Sequence, residues 1–206
     1  SARLTFIMLC KHAWRGDAKS NVKWAKSMAS RQAARYAFAV FHDWSEPLQT
    51  VAALSHVPNE SPTLNILSLA QSYDDPVLHA AMGSLTVKLQ HDIENRSTVI
   101  FGQSDVAVSC TAGALADQLN RRAQQGAKTV DEAFSTWMAP RHSARIDDDI
   151  RQRRILLWAR LFSPKQEQCT CQTFLDAHPL RVEIHDLVPI SPPLSGSDRS
   201  KGAGSC

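Results

Sequence analysis

Glycine and proline are scarce in this chain, which holds 8 glycines and 10 prolines among 206 residues. An average protein contains roughly 12% of these two residue types together, and this chain falls below that share. The shortage argues against a turn-rich β-sandwich, a collagen-like chain or a largely disordered one, and it favours long helices. No apolar run approaches the roughly 18–20 residues of a membrane span, so we expect no such span.

Familiar catalytic and nucleotide-binding motifs are also missing. Gly102 and Gly113 stand alone, so neither belongs to a glycine-rich phosphate loop. The patterns G-x-S-x-G, H-E-x-x-H and the Rossmann fingerprint do not occur. These absences favour a protein that is not an enzyme, and the sequence predicts no cofactor.

Charge and cysteine content limit which partners and which cellular compartment we expect. The net charge of +3 and the pI of about 8.7 come from dispersed charges of both signs, whereas dedicated nucleic-acid binders concentrate basic residues on one face. The five cysteines are odd in number and scattered, which is not typical of a disulfide framework. We therefore expect a reducing intracellular compartment, either the cytosol or, after removal of a presequence, an organelle matrix such as the mitochondrial one.

Helical periodicity dominates the pattern of apolar residues. The strongest prediction is a helix over 21–44, in which apolar residues recur at steps of three and four. Three cap-then-proline signals, Ser45-Glu46-Pro47, Ser61-Pro62 and Asp75-Pro76, predict the starts of further helices. Thr129 and Glu132 form a predicted capping box. A later helix is expected over 144–162 and is predicted to end at Ser163-Pro164.

The predicted fold is all-α, with seven or eight short helices packed as hairpins, in the manner of a helical repeat, and an extended C-terminal arm. Residues 1–163 form the predicted helical domain. Residues 164–188 form a short helix and strand extension, and residues 189–206 form a flexible tail rich in serine, glycine and proline. No residue pattern repeats along the chain, so the repeat is an architectural expectation only.

Catalysis and metal binding have weak candidates. Cys10 is a candidate nucleophile, with His12, His42 or His56 as the base. The alternative interpretation is a buried core cysteine with a surface histidine. Cys169, Cys171, His178 and His185 supply four ligands of the type that zinc takes. Their C-x-C and H-x₆-H spacings depart from the usual zinc patterns, and the prediction is that no metal binds.

The leading functional prediction is a non-catalytic scaffold or accessory subunit that binds other protein subunits. The residues assigned to that interaction are Trp24, Trp44, Trp137, Trp158, Arg121, Arg122, Arg151, Arg153 and Arg154, because tryptophan and arginine are enriched at interface hot spots. Core packing of the tryptophans is the alternative. Two alternative functions remain: an enzyme with a Cys/His site, and a helical array that binds RNA through the same arginines.

Overall fold

The computed structural model of the protein describes residues 34–55, 62–101 and 106–187. The strands in these ranges are β1 (Ala34–Phe41), β2 (Thr63–Leu69), β3 (Ser97–Ile100), β4 (Ala107–Cys110), β5 (Ile155–Leu161) and β6 (Arg181–Leu187). The helices are α1 (Ser45–Ser55), α2 (Pro76–Ala81), α3 (Val87–Glu94), α4 (Ala114–Gln124), α5 (Val130–Phe134), α6 (Pro140–Arg151) and α7 (Pro164–Asp176), with short 3₁₀ helices at Ala70–Asp74 and Met82–Ser84.

The six strands form one antiparallel sheet in the order β3-β4-β2-β5-β1-β6, and helices cover both of its faces. On the first face, Phe38 of β1 and Trp158 of β5 belong to a core shared with α4, α5 and α6. On the second face, Ala39 and Leu157 belong to a core shared with α1, α2, α3 and α7. Strands β1 and β5 are therefore buried on both sides.

The prediction of an all-α chain of helical hairpins is wrong, because the protein is mixed α/β. The end of the helix expected over 21–44 is β1, and the end of the helix expected over 144–162 is β5. A strand covered on both faces is apolar at nearly every position, so it lacks the alternation that separates a strand from a helix. Residues 21–33 of the first expected helix lie outside the described residues.

The expected C-terminal arm contains β6, which pairs with β1 as the last strand of the sheet. Its alternating sequence favoured a strand or an arm, and pairing with β1 decides between them. None of the helices in the described ranges combines the length and hydropathy of a membrane-spanning segment.

Cap-then-proline signals begin helices at two of the three predicted places. Helix α1 starts at Ser45, and Asp75 caps α2 by accepting the Val77 N–H at 2.7 Å. Pro62 instead precedes β2, since its fixed φ suits an extended chain as well as a first helical turn. Ser163-Pro164, interpreted as a helix end, begins α7.

Helix α6 crosses the first face and sets up the site described next. Ser143 anchors its first turn by donating a hydrogen bond to Asp131 in the first turn of α5. The helix ends at Arg151, and Arg153 then adopts a left-handed conformation with φ of 59° before the chain enters β5. His142 and Arg145 are thereby held over the edge of the sheet, where β6 lies.

Candidate metal centre

Strand β6 and helix α6 bring two histidines and a glutamate together. Alternate residues of a strand share a face, and Leu187 belongs to the core of the first face whereas Val182 belongs to that of the second. Glu183 and His185 therefore point to the first face. His142 meets them from α6.

Glu183 lies at the centre of the group. Its Oε2 atom is 2.9 Å from His142 Nδ1 and 2.9 Å from His185 Nε2. The three potential ligand atoms lie within 4.8 Å of one another, and no other such group of three occurs in the described ranges. The side chains of His142, Glu183 and His185 are 23%, 9% and 13% exposed, so solvent reaches the centre from one side.

Two arginines hold the other carboxylate oxygen. Arg181 Nε lies 2.6 Å from Glu183 Oε1 and forms an ion pair with it, although its N–H is not aligned for a hydrogen bond. Arg145 Nη1 donates a hydrogen bond to the same oxygen at 3.2 Å. Arg181 also donates to the buried Asp149, which accepts a second bond from Arg154. The carboxylate of Glu183 is thus fixed with Oε2 towards the imidazoles.

The hydrogen-bond network assigns the protonation of His142. Arg141 donates from Nε to His142 Nε2 at 3.1 Å, and a guanidinium can only donate. His142 Nε2 is therefore the acceptor, and Nδ1 carries the hydrogen that is donated to Glu183. A metal ion on Nδ1 would reverse this arrangement, which requires the exposed Arg141 side chain to move away.

The pKa of Glu183 is lowered to about 2. Burial alone would raise it, but the hydrogen bond from His185, the charge of Arg181 and the hydrogen bond from His142 together outweigh burial. Glu183 is therefore a carboxylate at any physiological pH, which is the form that ligates metals.

Comparisons with protein-family models, with the curated proteins and with the solved structures find no match. Function is therefore inferred from the geometry of the protein.

A stack of aromatic rings connects the centre to the hydrophobic core. The His185 ring stacks on Phe38 at 5.4 Å between centroids, Phe38 stacks on Trp158 at 4.5 Å, and Trp158 stacks on Phe134 at 5.5 Å. This column joins the imidazole to the core of the first face. The orientation of His185 is therefore set by packing as well as by Glu183.

The tryptophans assigned to partner binding are placed as follows. Trp44, Trp137 and Trp158 are buried. Trp44 donates to the Ser72 carbonyl, and Trp137 packs edge-on against Phe134. Trp24 lies outside the described residues.

The four residues considered for zinc are not brought together. Cys169 and Cys171 lie on α7, whose buried side packs on the second face. His178 follows α7 with φ of 55°. His185 is on the first face and meets His142 and Glu183 instead, so only one of the four belongs to the candidate centre.

Of the candidate catalytic residues, the structure describes His42 alone. Cys10, His12 and His56 lie outside the described residues. His42 follows β1 and lines an open pocket of about 250 Å³, which also includes Asp43, Asp75 and Arg153. Asp43 accepts hydrogen bonds from Ser45 and Asp75 caps α2, so both carboxylates already have structural roles.

The basic residues assigned to partner or RNA binding are spread over the described chain. Arg121 and Arg122 are in the last turn of α4. Arg151 pairs with Asp147, as its spacing predicts. Asp149 has the same four-residue spacing to Arg153, but it pairs with Arg154 instead, because the left-handed turn at Arg153 carries that side chain off the helix.

Sequence reasoning missed His142, Glu183 and the two arginines that hold Glu183. The alternation Glu183-x-His185 was a usable signal, because a strand places both side chains on one face. No local signal connects these residues to His142, which is 41 positions away from Glu183.

Proposed function

We propose that this protein binds zinc at His142, Glu183 and His185 and uses it to activate water. The observation that carries the proposal is that the three ligand atoms lie within 4.8 Å of one another. Two imidazole nitrogens and one carboxylate oxygen are a ligand set found in catalytic zinc sites. Magnesium and calcium prefer ligand sets made of oxygen alone, so we expect them to bind poorly.

Two of the three ligand-atom separations are close to those that a zinc ion needs, and the third, between the two imidazole nitrogens, is within 4.8 Å. Tetrahedral zinc with bonds of about 2.0–2.1 Å separates its ligand atoms by about 3.3 Å. Each imidazole nitrogen is now 2.9 Å from Glu183 Oε2. Both imidazole nitrogens would move away from Glu183 Oε2 by a few tenths of an ångström and would take positions about 3.3 Å from each other, and each would lose the hydrogen it donates to Glu183.

The arginines have two opposing effects on a bound cation. Arg145 and Arg181 engage Oε1 of Glu183, which leaves Oε2 as a single ligand atom with a fixed direction; groups of this kind orient metal ligands in many centres. Their positive charges also repel a cation. Zinc forms strong bonds to imidazole and can overcome this repulsion, whereas a weakly bound ion cannot.

Three protein ligands leave the fourth tetrahedral position open for water. A zinc ion held by His142, Glu183 and His185 would lower the pKa of water and would therefore supply a nucleophile for the hydrolysis of an ester or amide at neutral pH. In that hydrolysis the water oxygen would bond to the reacting centre as the bond to the leaving group breaks. The proton of the water would go to solvent, and the leaving group would take a proton from solvent.

Calorimetric titration of the metal-free full chain with zinc tests the proposal. We expect one binding event that His142→Ala and His185→Ala each remove, while His178→Ala, at an exposed histidine that was also considered as a ligand, retains it. Magnesium should give no such event. Equal zinc binding in the folded His142→Ala and His185→Ala proteins, or no binding by the wild type, would refute the proposal.

A second proposal is the accessory-subunit function, and the position of β6 favours it. This strand is outermost in the sheet of the described residues, and its neighbouring side chains Leu180 and Ile184 are exposed. An outer strand can accept a strand from another protein through its main-chain groups. We propose that a partner subunit pairs along β6.

Size-exclusion chromatography of a gentle extract, with mass spectrometry of the co-eluting proteins, tests the second proposal. The wild type should elute in a complex that Ile184→Lys disrupts. Val87→Lys is the matched control, since Val87 is an exposed aliphatic residue of α3 and is not part of β6. Elution of the wild type alone near its own 22.8 kDa would argue against this function.

A further inference from the structure

The charges around the candidate metal centre do not balance. Four guanidinium groups contact His142, Glu183 or Asp149, namely those of Arg141, Arg145, Arg154 and Arg181. Two carboxylates, Glu183 and Asp149, lie among them. A bound zinc ion would add to this excess of positive charge. Once zinc is bound, the surroundings therefore favour an anionic substrate group over a cationic one.

Among the arginines bound to the two carboxylates, Arg145 is the best placed to meet a ligand. Its side chain is 52% exposed, compared with 28% for Arg154 and 16% for Arg181. One nitrogen, Nη1, donates to Glu183 Oε1, and the structure gives its other nitrogens no partner in the described ranges. A guanidinium has five donors in a planar fork, so Arg145 can hold Glu183 and still offer N–H groups to solvent.

Arg181 has a different, internal role. It contacts Asp149 and Glu183, and its guanidinium lies 5.7 Å from the centre of the Phe38 ring. These contacts hold it below the surface. Arg181 therefore fixes the carboxylate, and of the two arginines that hold Glu183, Arg145 is the one exposed to an incoming molecule.

We propose that Arg145 binds an anionic group of the substrate, a phosphate or a carboxylate, next to the metal centre. This inference rests on the proposed function, because it names the substrate class of the same site. An arginine fork makes two parallel hydrogen bonds to either group, which lysine cannot do. The substrate is then a phosphate ester, or an ester or amide carrying a carboxylate beside the bond that is broken.

Binding of inorganic phosphate and of acetate to the full chain tests the inference, in parallel with and without zinc. We expect phosphate to bind in both states and more tightly in the zinc-loaded protein. Arg145→Met should weaken phosphate binding by about tenfold or more, the loss of charged hydrogen bonds. Arg145→Lys should fall between the two. Stronger binding of phosphate than acetate would identify a phosphate ester as the substrate, and the reverse order a carboxylate.

Arg151→Met is the matched control, because Arg151 lies on the same helix, is 45% exposed and pairs with Asp147. It should bind phosphate as the wild type does. Equal affinity in the wild type and a folded Arg145→Met protein, or an equal loss in Arg151→Met, would overturn the inference.

The two proposals fail in different ways. Phosphate binding that depends on Arg145 in the metal-free protein supports the anion site even if zinc does not bind. Zinc binding that depends on His142, without phosphate binding that depends on Arg145, refutes the anion site and leaves the metal proposal intact.

Discussion

Glu183 is held by four side chains, His142 and Arg145 from α6 and Arg181 and His185 from β6. The carboxylate thereby joins a helix to the outer strand of the sheet. Its pKa is lowered to about 2 because these contacts outweigh the opposing effect of burial. At the scale of single residues, the candidate centre is also a stabilising ion network.

The lowered pKa of Glu183 predicts how stability depends on pH. A carboxyl whose folded pKa lies below its unfolded value stabilises the fold above the unfolded pKa and loses that contribution as pH falls through the folded pKa. Between about pH 4.5 and pH 2, the wild type should therefore lose on the order of 3 kcal/mol of unfolding free energy that Glu183→Gln does not lose.

Denaturant unfolding of the metal-free proteins across this pH range measures the difference. Glu94→Gln, at an exposed glutamate of α3, is the control and should follow the wild type. Parallel pH profiles for the wild type and Glu183→Gln would show that the contacts of Glu183 do not stabilise the fold.

Part of the site was open to prediction from individual residues. His185 stood out as a potential ligand, but it was grouped with Cys169, Cys171 and His178 because these are near it in sequence. The helix and the sheet separate them: α7 packs on the second face and His185 points to the first. The contact of His142 with Glu183 and the proximity of His142 to His185 depend on how α6 packs on the sheet, and no local sequence pattern predicts that packing.

At the scale of elements, local capping chemistry was predicted best. Thr129 accepts the N–H of Glu132 at 3.1 Å as the capping box requires. Glu132 in turn accepts the N–H of Lys128, one residue before the position expected. These hydrogen bonds join residues that are close in sequence, so the sequence predicts them without knowledge of the tertiary packing.

Central strands were the elements predicted worst. Six of the seven residues of Ile155–Leu161 are apolar and the run follows a helix, so the sequence predicts a continuation of that helix. The left-handed turn at Arg153 separates the two elements, and arginine gives no signal for such a turn as glycine would. Pairing of β5 with both β1 and β2 then fixes it as a strand.

Helix α7 offers a test of capping at this scale. Ser163 accepts the Gln166 N–H at 3.1 Å, and Gln166 accepts the Phe162 N–H at 2.7 Å. Ser163→Ala should lower the unfolding free energy by about 1 kcal/mol, whereas Ser163→Asp, which retains an acceptor, should stay near the wild type. Denaturant unfolding measures both. Equal stability of the Ala and Asp variants would exclude the cap.

At the scale of the whole molecule, the candidate centre lies where α6 passes over β6, the outermost strand in the described part of the sheet. The aromatic column from His185 to Phe134 connects this edge to the core of the first face. The edge location leaves one side of the centre open to solvent, with Arg145 beside it. A buried support and an open side are what a binding centre needs.

A crystal structure of the zinc-loaded protein, with anomalous data collected at the zinc edge, tests the central claim most directly. We expect one peak about 2.0–2.2 Å from His142 Nδ1, Glu183 Oε2 and His185 Nε2, with Arg141 turned away from His142. A protein that takes up zinc elsewhere, such as at Cys169 and Cys171, or shows no density between these three side chains, would contradict the claim.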